Sequence, residues 1–391
     1  MRSYQDLFRT PEFTPLFLAS SAQNLARTTS GLALATLVHR ETASPLLSAL
    51  SMFGPSLAHV LGATLFLSAA DRLPPRATMT GTALAFAAAT AALALPGLPV
   101  TAVFAILLLT GLVASVGGGA GWGLLNEILP GGGYVLGRSA FNMMNGIMQI
   151  TGFATGGVLV AVLSPRPSLL AAAALYLTAA LIARLGLTRR PPRATGRPSV
   201  RATWRANARL WSSPPRRHVY LGLWIPNGLV VGCEALYVSY APDAAGTLFA
   251  CAAVGMLAGD VAVGRLIPPG RRRRLATPLL LLLATPYLLF VLHPPLPVAA
   301  ALAAVASAGF GASLVQQERL MRLTPPELSG HALGLHSSGM LTMQGTSAAL
   351  AGGLAELTSP PTAMTALALT SATVTLLLAA TAPKHRAATP A

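Results

Sequence analysis

The sequence predicts an all-α membrane protein in which twelve transmembrane helices form two pseudo-symmetric six-helix halves. Three observations carry that expectation. First, apolar segments near the ~20 residues needed to cross a bilayer recur along the whole chain. Of its 391 residues, 53% are hydrophobic and only 10% charged, and the mean hydropathy is +0.61. Second, residues 189–217, RRPPRATGRPSVRATWRANARLWSSPPRR, hold nine arginines and no acid between two apolar blocks. Third, the text of the first block recurs in the second at a fixed offset.

In chain order, residues 1–14 form an amphipathic lead in which Asp6 and Glu12 balance Arg2 and Arg9. Spanning segments are expected at 15–39, 46–70, 77–95, 100–128, 138–163 and 168–187. The polar turn Asp71-Arg72-Leu73-Pro74-Pro75-Arg76 is too short for anything but a reversal. After the arginine loop come 219–240, 244–267, 275–292, 298–317, 328–357 and 361–382, then a polar tail. The domains are therefore an N-terminal half at 1–188, a linker at 189–217 and a C-terminal half at 218–391.

Twelve spans put both termini and the arginine loop on one side. Of the 27 basic residues, 24 fall on that side, whereas Arg40 and Arg166 fall on the other and Arg27 lies inside a helix. Such an imbalance marks the cytoplasmic side of an inner (plasma) membrane, multi-pass protein. It also removes the nucleic-acid reading that a net charge of +16 invites. Trp204 and Trp211, seven residues apart among Arg201, Arg205 and Arg209, suggest an amphipathic linker helix on anionic lipid.

An offset of 193 takes Arg72 to Arg265, Gly146 to Gly339 and Gly152 to Gly345, and DRLPPR resembles GRLIPPGR. Glu127 has a near counterpart in Glu318. Duplicated six-helix halves point to a transporter.

With these residues in view, the whole chain resembles the major facilitator superfamily. The family motif Gly-x-x-x-Asp-Arg-x-x-Arg is matched or nearly matched by Asp71, Arg72 and Arg76, with Leu67 at the leading glycine. In the second copy Arg265 remains, Gly264 replaces the acid, and Asp260 sits four residues earlier. Residues Gly152-Phe153-Ala154-Thr155-Gly156-Gly157 resemble the antiporter motif Gly-Pro-x-x-Gly-Gly, and the N-terminal segment looks like the drug-efflux, macrolide-exporter-like branch. Where those members carry an acid in the first helix, this chain has Arg27. The resemblance implies alternating access and proton exchange.

Asp71 can meet the positive end of a helix of the other half, and Arg72 and Arg76 can pair with Glu127 or Glu318. Together with Arg265, these residues form the expected inner gate. Plain topology, with the arginines merely holding the loop inside, is the competing explanation. Arg27 sits near mid-bilayer, where a lipid-facing charge costs at least ~2.5–3.5 kcal/mol. It must therefore face a partner or a wet cavity. Gln23, Arg27 and Ser30 share a face. There Arg27 would hold an anionic group of the substrate, respond to a titrating acid, or form a buried structural pair.

Trp224, Asn227, Val231 and Glu234 share a face of the seventh span. If it lines the cavity, Glu234 is both the candidate partner of Arg27 and the best candidate proton carrier; otherwise it is a carboxylate in headgroup water, as Glu356 is expected to be. Asn142, Asn145 and Gln149 align on the fifth span ahead of Gly152 and Gly156, to touch substrate or to tie helices together. His336, Met340 and Gln344 align on the eleventh, where His336 could titrate or be structural, and His59 is treated alike. The glycine run 117–121 has no Lys-Ser/Thr ending and is read as packing within a span rather than a phosphate loop.

No metal cluster, cofactor motif or nucleophile–base set is visible, so no enzyme and no cofactor are expected. Cys233 and Cys251 lie in apolar segments without redox spacing. The expected function is proton-coupled export of an amphipathic small molecule by a monomer in the lipid bilayer. Uptake or facilitated diffusion of an anionic metabolite is one alternative, and a non-transporting scaffold or receptor another.

Overall fold

Twelve long helices run back and forth in the computed structural model, which describes residues 4–65, 73–129, 132–192 and 200–381. A short lead helix, Tyr4–Arg9, precedes α1, Phe13–Thr42. The first half continues with α2 (Pro45–Leu65), α3 (Pro75–Leu93), α4 (Val100–Ile128), α5 (Gly132–Leu163) and α6 (Pro165–Gly186). A linker helix, Val200–Trp211, leads into α7, Pro214–Ala235, with a further turn at Tyr237–Tyr240. Then come α8 (Ala245–Val261), α9 (Ala276–Leu292), α10 (Leu296–Arg322), α11 (Ser329–Leu357) and α12 (Pro360–Ala380). Asp71, Arg72, Leu67 and the polar tail lie outside the described residues.

Local chemistry sets the helix ends. Pro75, Pro165, Pro214 and Pro360 stand in the first turns of α3, α6, α7 and α12, where a missing N–H costs nothing. Ser359 caps α12 by accepting from the Thr362 N–H at 3.4 Å. Pro226 lies within α7, and its carbonyl accepts from the Ser371 hydroxyl of α12 at 3.1 Å, which ties the two helices together.

Among the described residues, eight helices are long and apolar enough to cross a membrane by length and composition, and Ala276–Leu292 is a shorter apolar helix. Helices α1, α3 and α11 fall outside that group; α1 and α11 carry polar residues along their length (Gln23, Asn24 and Arg27; His336 and Gln344), and the first turns of α3 hold Arg76, Thr78, Thr80 and Thr82.

Glycine permits the closest helix approaches. On α8, Gly255 and Gly259 are four residues apart and lie against the carbonyls of Ala304 and Ala308 on α10, leaving no room for a side chain. Gly152 and Gly156 of α5 lie against Thr28 and Thr29 of α1, and Thr29 donates to the Gly152 carbonyl at 3.3 Å.

The two halves meet along α5 with α8 and α2 with α11. A Cβ on Gly157 would reach the Gly246 Cα at 3.0 Å, and one on Gly146 would touch Leu257 at 3.4 Å. On the symmetry-related seam, Gly352 abuts Leu46 and Gly345 abuts Leu57. Phe153 and Phe249 stack across the first seam, with centroids 4.6 Å apart.

The linker is tied to both halves. At its start, Arg190 and Thr188 donate to the Glu12 carboxylate, Arg190 at 3.0 and 3.1 Å. At its end, Leu210 is fully buried and Trp211 stacks on Trp224, with centroids 5.7 Å apart. Arg216 donates to the carbonyls of Arg209, Leu210 and Leu323. The tryptophans expected to share a lipid stripe differ in degree: Trp204 is 64% exposed, whereas Trp211, 37% exposed, lays a ring face on Trp224.

Candidate functional site

Two polar clusters lie at depth in the bundle, one in each half. In the first, Arg27 emerges near the middle of α1 and is exposed. Its guanidinium donates to the Asn24 side-chain oxygen at 3.4 Å. Asn24 in turn donates to the Asn145 side chain of α5 at 2.8 Å. His59 of α2 and Tyr176 of α6 lie within electrostatic reach of Arg27, and Ser30, whose hydroxyl donates to the Arg27 carbonyl at 3.1 Å, lies near Tyr176. No carboxylate pairs with Arg27 among the described residues. A guanidinium with spare donors beside amides and a phenol can take an anion or a hydrogen-bond acceptor.

The second cluster surrounds Glu234 on α7, which is only 8% exposed. Ser307 of α10 donates to its carboxylate at 3.3 Å. Cys233, Tyr237 and Tyr287 lie close to it, and the two tyrosine hydroxyls are hydrogen-bonded to each other. No cation stands beside Glu234 among the described residues. The structure thus does not join Glu234 to Arg27. Each sits in its own half, Glu234 facing α10 and not the partner expected across the bundle.

The other candidates from the sequence divide in the same way. Asn227 is fully buried, donating to the Leu223 carbonyl at 2.6 Å and to Ser313 at 3.3 Å, with its own side-chain oxygen left without a partner. Asn142 is exposed, and Gln23, Gln149 and Gln344 are half-buried. The His336 carbonyl accepts from the Trp224 indole at 3.1 Å, while its ring Nδ1 is buried without a partner. Arg76 is half-buried, with Nε unpartnered.

Of the remaining residues that the sequence assigns to an expected gate, Glu127 lies 3.7 Å from Arg190, Glu318 pairs with Arg322 one turn on at 3.3 Å, and Arg265 is exposed on the π-helical turn Ala262–Leu266. Among the described residues, neither Glu318 nor Arg265 forms an ion pair with the other half. The described polar links between the halves lie at the end opposite the arginine loop. Ser44 donates to Glu356, Ser239 is bonded to His39 at 3.4 Å, and Arg40 lies 3.8 Å from Asp243.

The sequence singled out Arg27, Asn145 and Glu234, which lie in these two clusters, but not Asn24, Ser307 or the polar links of the opposite end. Asn24 stands three residues before Arg27, a spacing that places it on the same helical face. Glu356 is exposed as expected, yet it also reaches across to Ser44. Nothing in its local text signals that contact.

A family model described as Major Facilitator Superfamily matches residues 16–315. Solved structures of similar fold include a POT family transporter in complex with a thioalcohol-conjugated peptide (12% identity, 95% of this chain and 96% of that one, TM-score 0.75). Another is the nucleoside transporter NupG, in a mutant form (14% identity, 94% and 98%, TM-score 0.73). A third is a bacterial homologue of the human lysosomal transporter Spinster, inward-facing and unoccupied (15% identity, 94% of each chain, TM-score 0.68). No curated protein sequence matches the chain.

Proposed function

The chain belongs to the Major Facilitator Superfamily of transporters, and from that premise we propose that it exports an amphipathic small molecule by alternating access, in exchange for protons. The observation that carries transport is the one-sided pattern of contacts between the halves. Polar links and glycine seams close one end, and no polar link among the described residues closes the other. The 24 basic residues assign the linked end to the outside and the arginine loop to the cytoplasm of the plasma membrane. On this reading the structure is the inward-open state, with 1–188 and 218–391 as the rocking halves and 189–217 as the strap between them.

Arg27, Asn24 and Asn145, with Gln23, Asn142 and Gln149 nearby, form the substrate side of the pathway in this proposal. Glu234, Asn227, His336 and Gln344 belong to the second half, and Glu234 is the proton carrier. Its support is chemical: a carboxyl removed from water, held by one hydroxyl and no cation, can exchange a proton without breaking an ion pair. Asp71, Arg72, Arg76, Arg265, Glu127 and Glu318 would latch the inner gate in the other state. Glu318 and Glu127 here hold Arg322 and Arg190, so the latch would require them to exchange partners.

A second reading is uptake of an anionic metabolite, favoured by the absence of a carboxylate beside Arg27 among the described residues. One assay separates the two. In cells expressing the chain, export lowers accumulation of a lipophilic compound, and an uncoupler restores it. A rise in accumulation of an anionic solute supports uptake. Proteoliposomes with no flux under any gradient would falsify both.

A further inference from the structure

The C-terminal half contains a cavity of about 480 Å³. It lies among α7, α9, α10 and α12, and all of its lining comes from that half. Its volume falls in the range of small-molecule sites. At the arginine-loop end of the bundle, its rim carries His218, Arg319 and Arg322. Arg322 is engaged by Glu318 at 3.3 Å, whereas Arg319 has no ion pair among the described residues. The rest of the wall is largely apolar, with Val219, Leu280, Val315 and Leu378 among its lining.

Two polar side chains break that apolar wall. Thr375 of α12 is 2% exposed, and its hydroxyl has no hydrogen-bond partner. Gln316 of α10 is 7% exposed and packs against Gly222, where a side chain on α7 would collide with its amide oxygen at 2.8 Å. A buried hydroxyl without a partner is unfavourable, so Thr375 is available to hydrogen-bond a polar atom of a ligand. Cations at the mouth, an apolar wall and an orphan hydroxyl within it together describe the shape of an amphiphile.

We propose that this cavity is a second binding site, separate from the transport pathway, for an anionic amphiphile. The acid group would lie against Arg319 and His218, and the chain would run inward past Thr375. The same chemistry is offered by an anionic lipid entering from the bilayer and by a soluble single-chain anion from the cytoplasm. A regulatory consequence follows from the linker. Leu323 lines the cavity, and its carbonyl is the one that Arg216 grips while also holding the end of the linker helix. A bound amphiphile therefore bears directly on the strap between the halves.

The test is equilibrium binding of radiolabelled dodecyl phosphate to the full-length protein in phosphatidylcholine nanodiscs. The expected result is saturable binding at one site, at least tenfold weaker in Arg319→Gln and several-fold weaker in Thr375→Val, which keeps its shape and loses only the hydroxyl. Measured in the Arg27→Ala background, so that the cation of the transport pathway does not contribute, the same saturable component should persist and keep its dependence on Arg319. Leu280→Trp, which fills the cavity, should abolish it, and retained thermal stability of each variant shows that the loss is local. Competition by phosphatidylglycerol in the nanodisc assigns the site to lipid, and lack of competition assigns it to a soluble amphiphile; both uphold it. Three outcomes overturn it: no saturable binding, wild-type affinity in both Arg319→Gln and Thr375→Val, or inorganic phosphate competing as well as dodecyl phosphate. The readout is independent of transport, so its failure leaves the proposed function standing.

Discussion

Arg27 and Glu234 show how a charge deep in a membrane protein acquires a setting. Neither has an ion-pair partner among the described residues, yet their surroundings differ: the guanidinium is exposed beside amides, while the carboxyl is buried with a serine. On the proposed function, replacing Arg27 by alanine would remove a charge-assisted contact to substrate worth about 1.5–3 kcal/mol. The expected result is a rise in KM of roughly tenfold or more with the fold intact, read by transport kinetics and thermal unfolding. A variant that is less stable but transports with unchanged KM would make Arg27 structural. Glu234→Gln keeps size and the hydrogen bond with Ser307 but removes the exchangeable proton. It should abolish transport driven by a pH gradient while sparing substrate counterflow in proteoliposomes. Gradient-driven flux at the wild-type rate would exclude Glu234 as the carrier. Arg27 was legible in the sequence because a lone charge amid apolar residues is conspicuous. Its relation to Asn145, 118 residues later, depends on how α1 packs against α5, which no local pattern reports.

Between helices, small residues set the geometry. Gly255 and Gly259 on α8 fit the small-xxx-small pattern, and the structure supplies its partner, the Ala304 and Ala308 backbone of α10. Valine at position 255 would collide with a carbonyl that cannot rotate away. We expect Gly255→Val to destabilise the C-terminal half by about 1–3 kcal/mol, as overpacking does, lowering the unfolding temperature in detergent. An unchanged unfolding temperature would show that α8 and α10 can separate freely. The boundaries of most spans were readable from hydropathy and proline, so that α4 begins and ends where expected. The linker was less so. Its arginines and tryptophans suggested a helix on lipid, and Val200–Trp211 is a helix, but Trp211 stacks on Trp224. Periodicity gives a helix face, whereas aromatic partners 13 residues away in the next helix decide what that face touches.

For the protein entire, the proposed alternating access is a rocking of the halves about the middle of the bundle, in which the links at the Ser44–Glu356 end separate when the proposed gate at the arginine loop closes. In a background lacking Cys233 and Cys251, Ser44→Cys with Glu356→Cys joined by a short thiol cross-linker should lock the present state. Transport should stop and return on cleavage of the linker, while substrate binding from the arginine-loop side persists. Undiminished transport in the cross-linked protein would mean that this end never opens.

The number of spans, their duplication and the side on which the arginines gather were already written in the amino-acid order. Those features follow from the cost of placing polar backbone and charge in hydrocarbon, and that cost is met locally, segment by segment. Folding was needed to show that Glu234 faces Ser307 and not Arg27, that Glu356 reaches Ser44, and that four helices of one half enclose a cavity. Each of these joins residues remote along the chain. Their contact depends on helix rotation and on small residues letting backbones approach, which composition and spacing leave open.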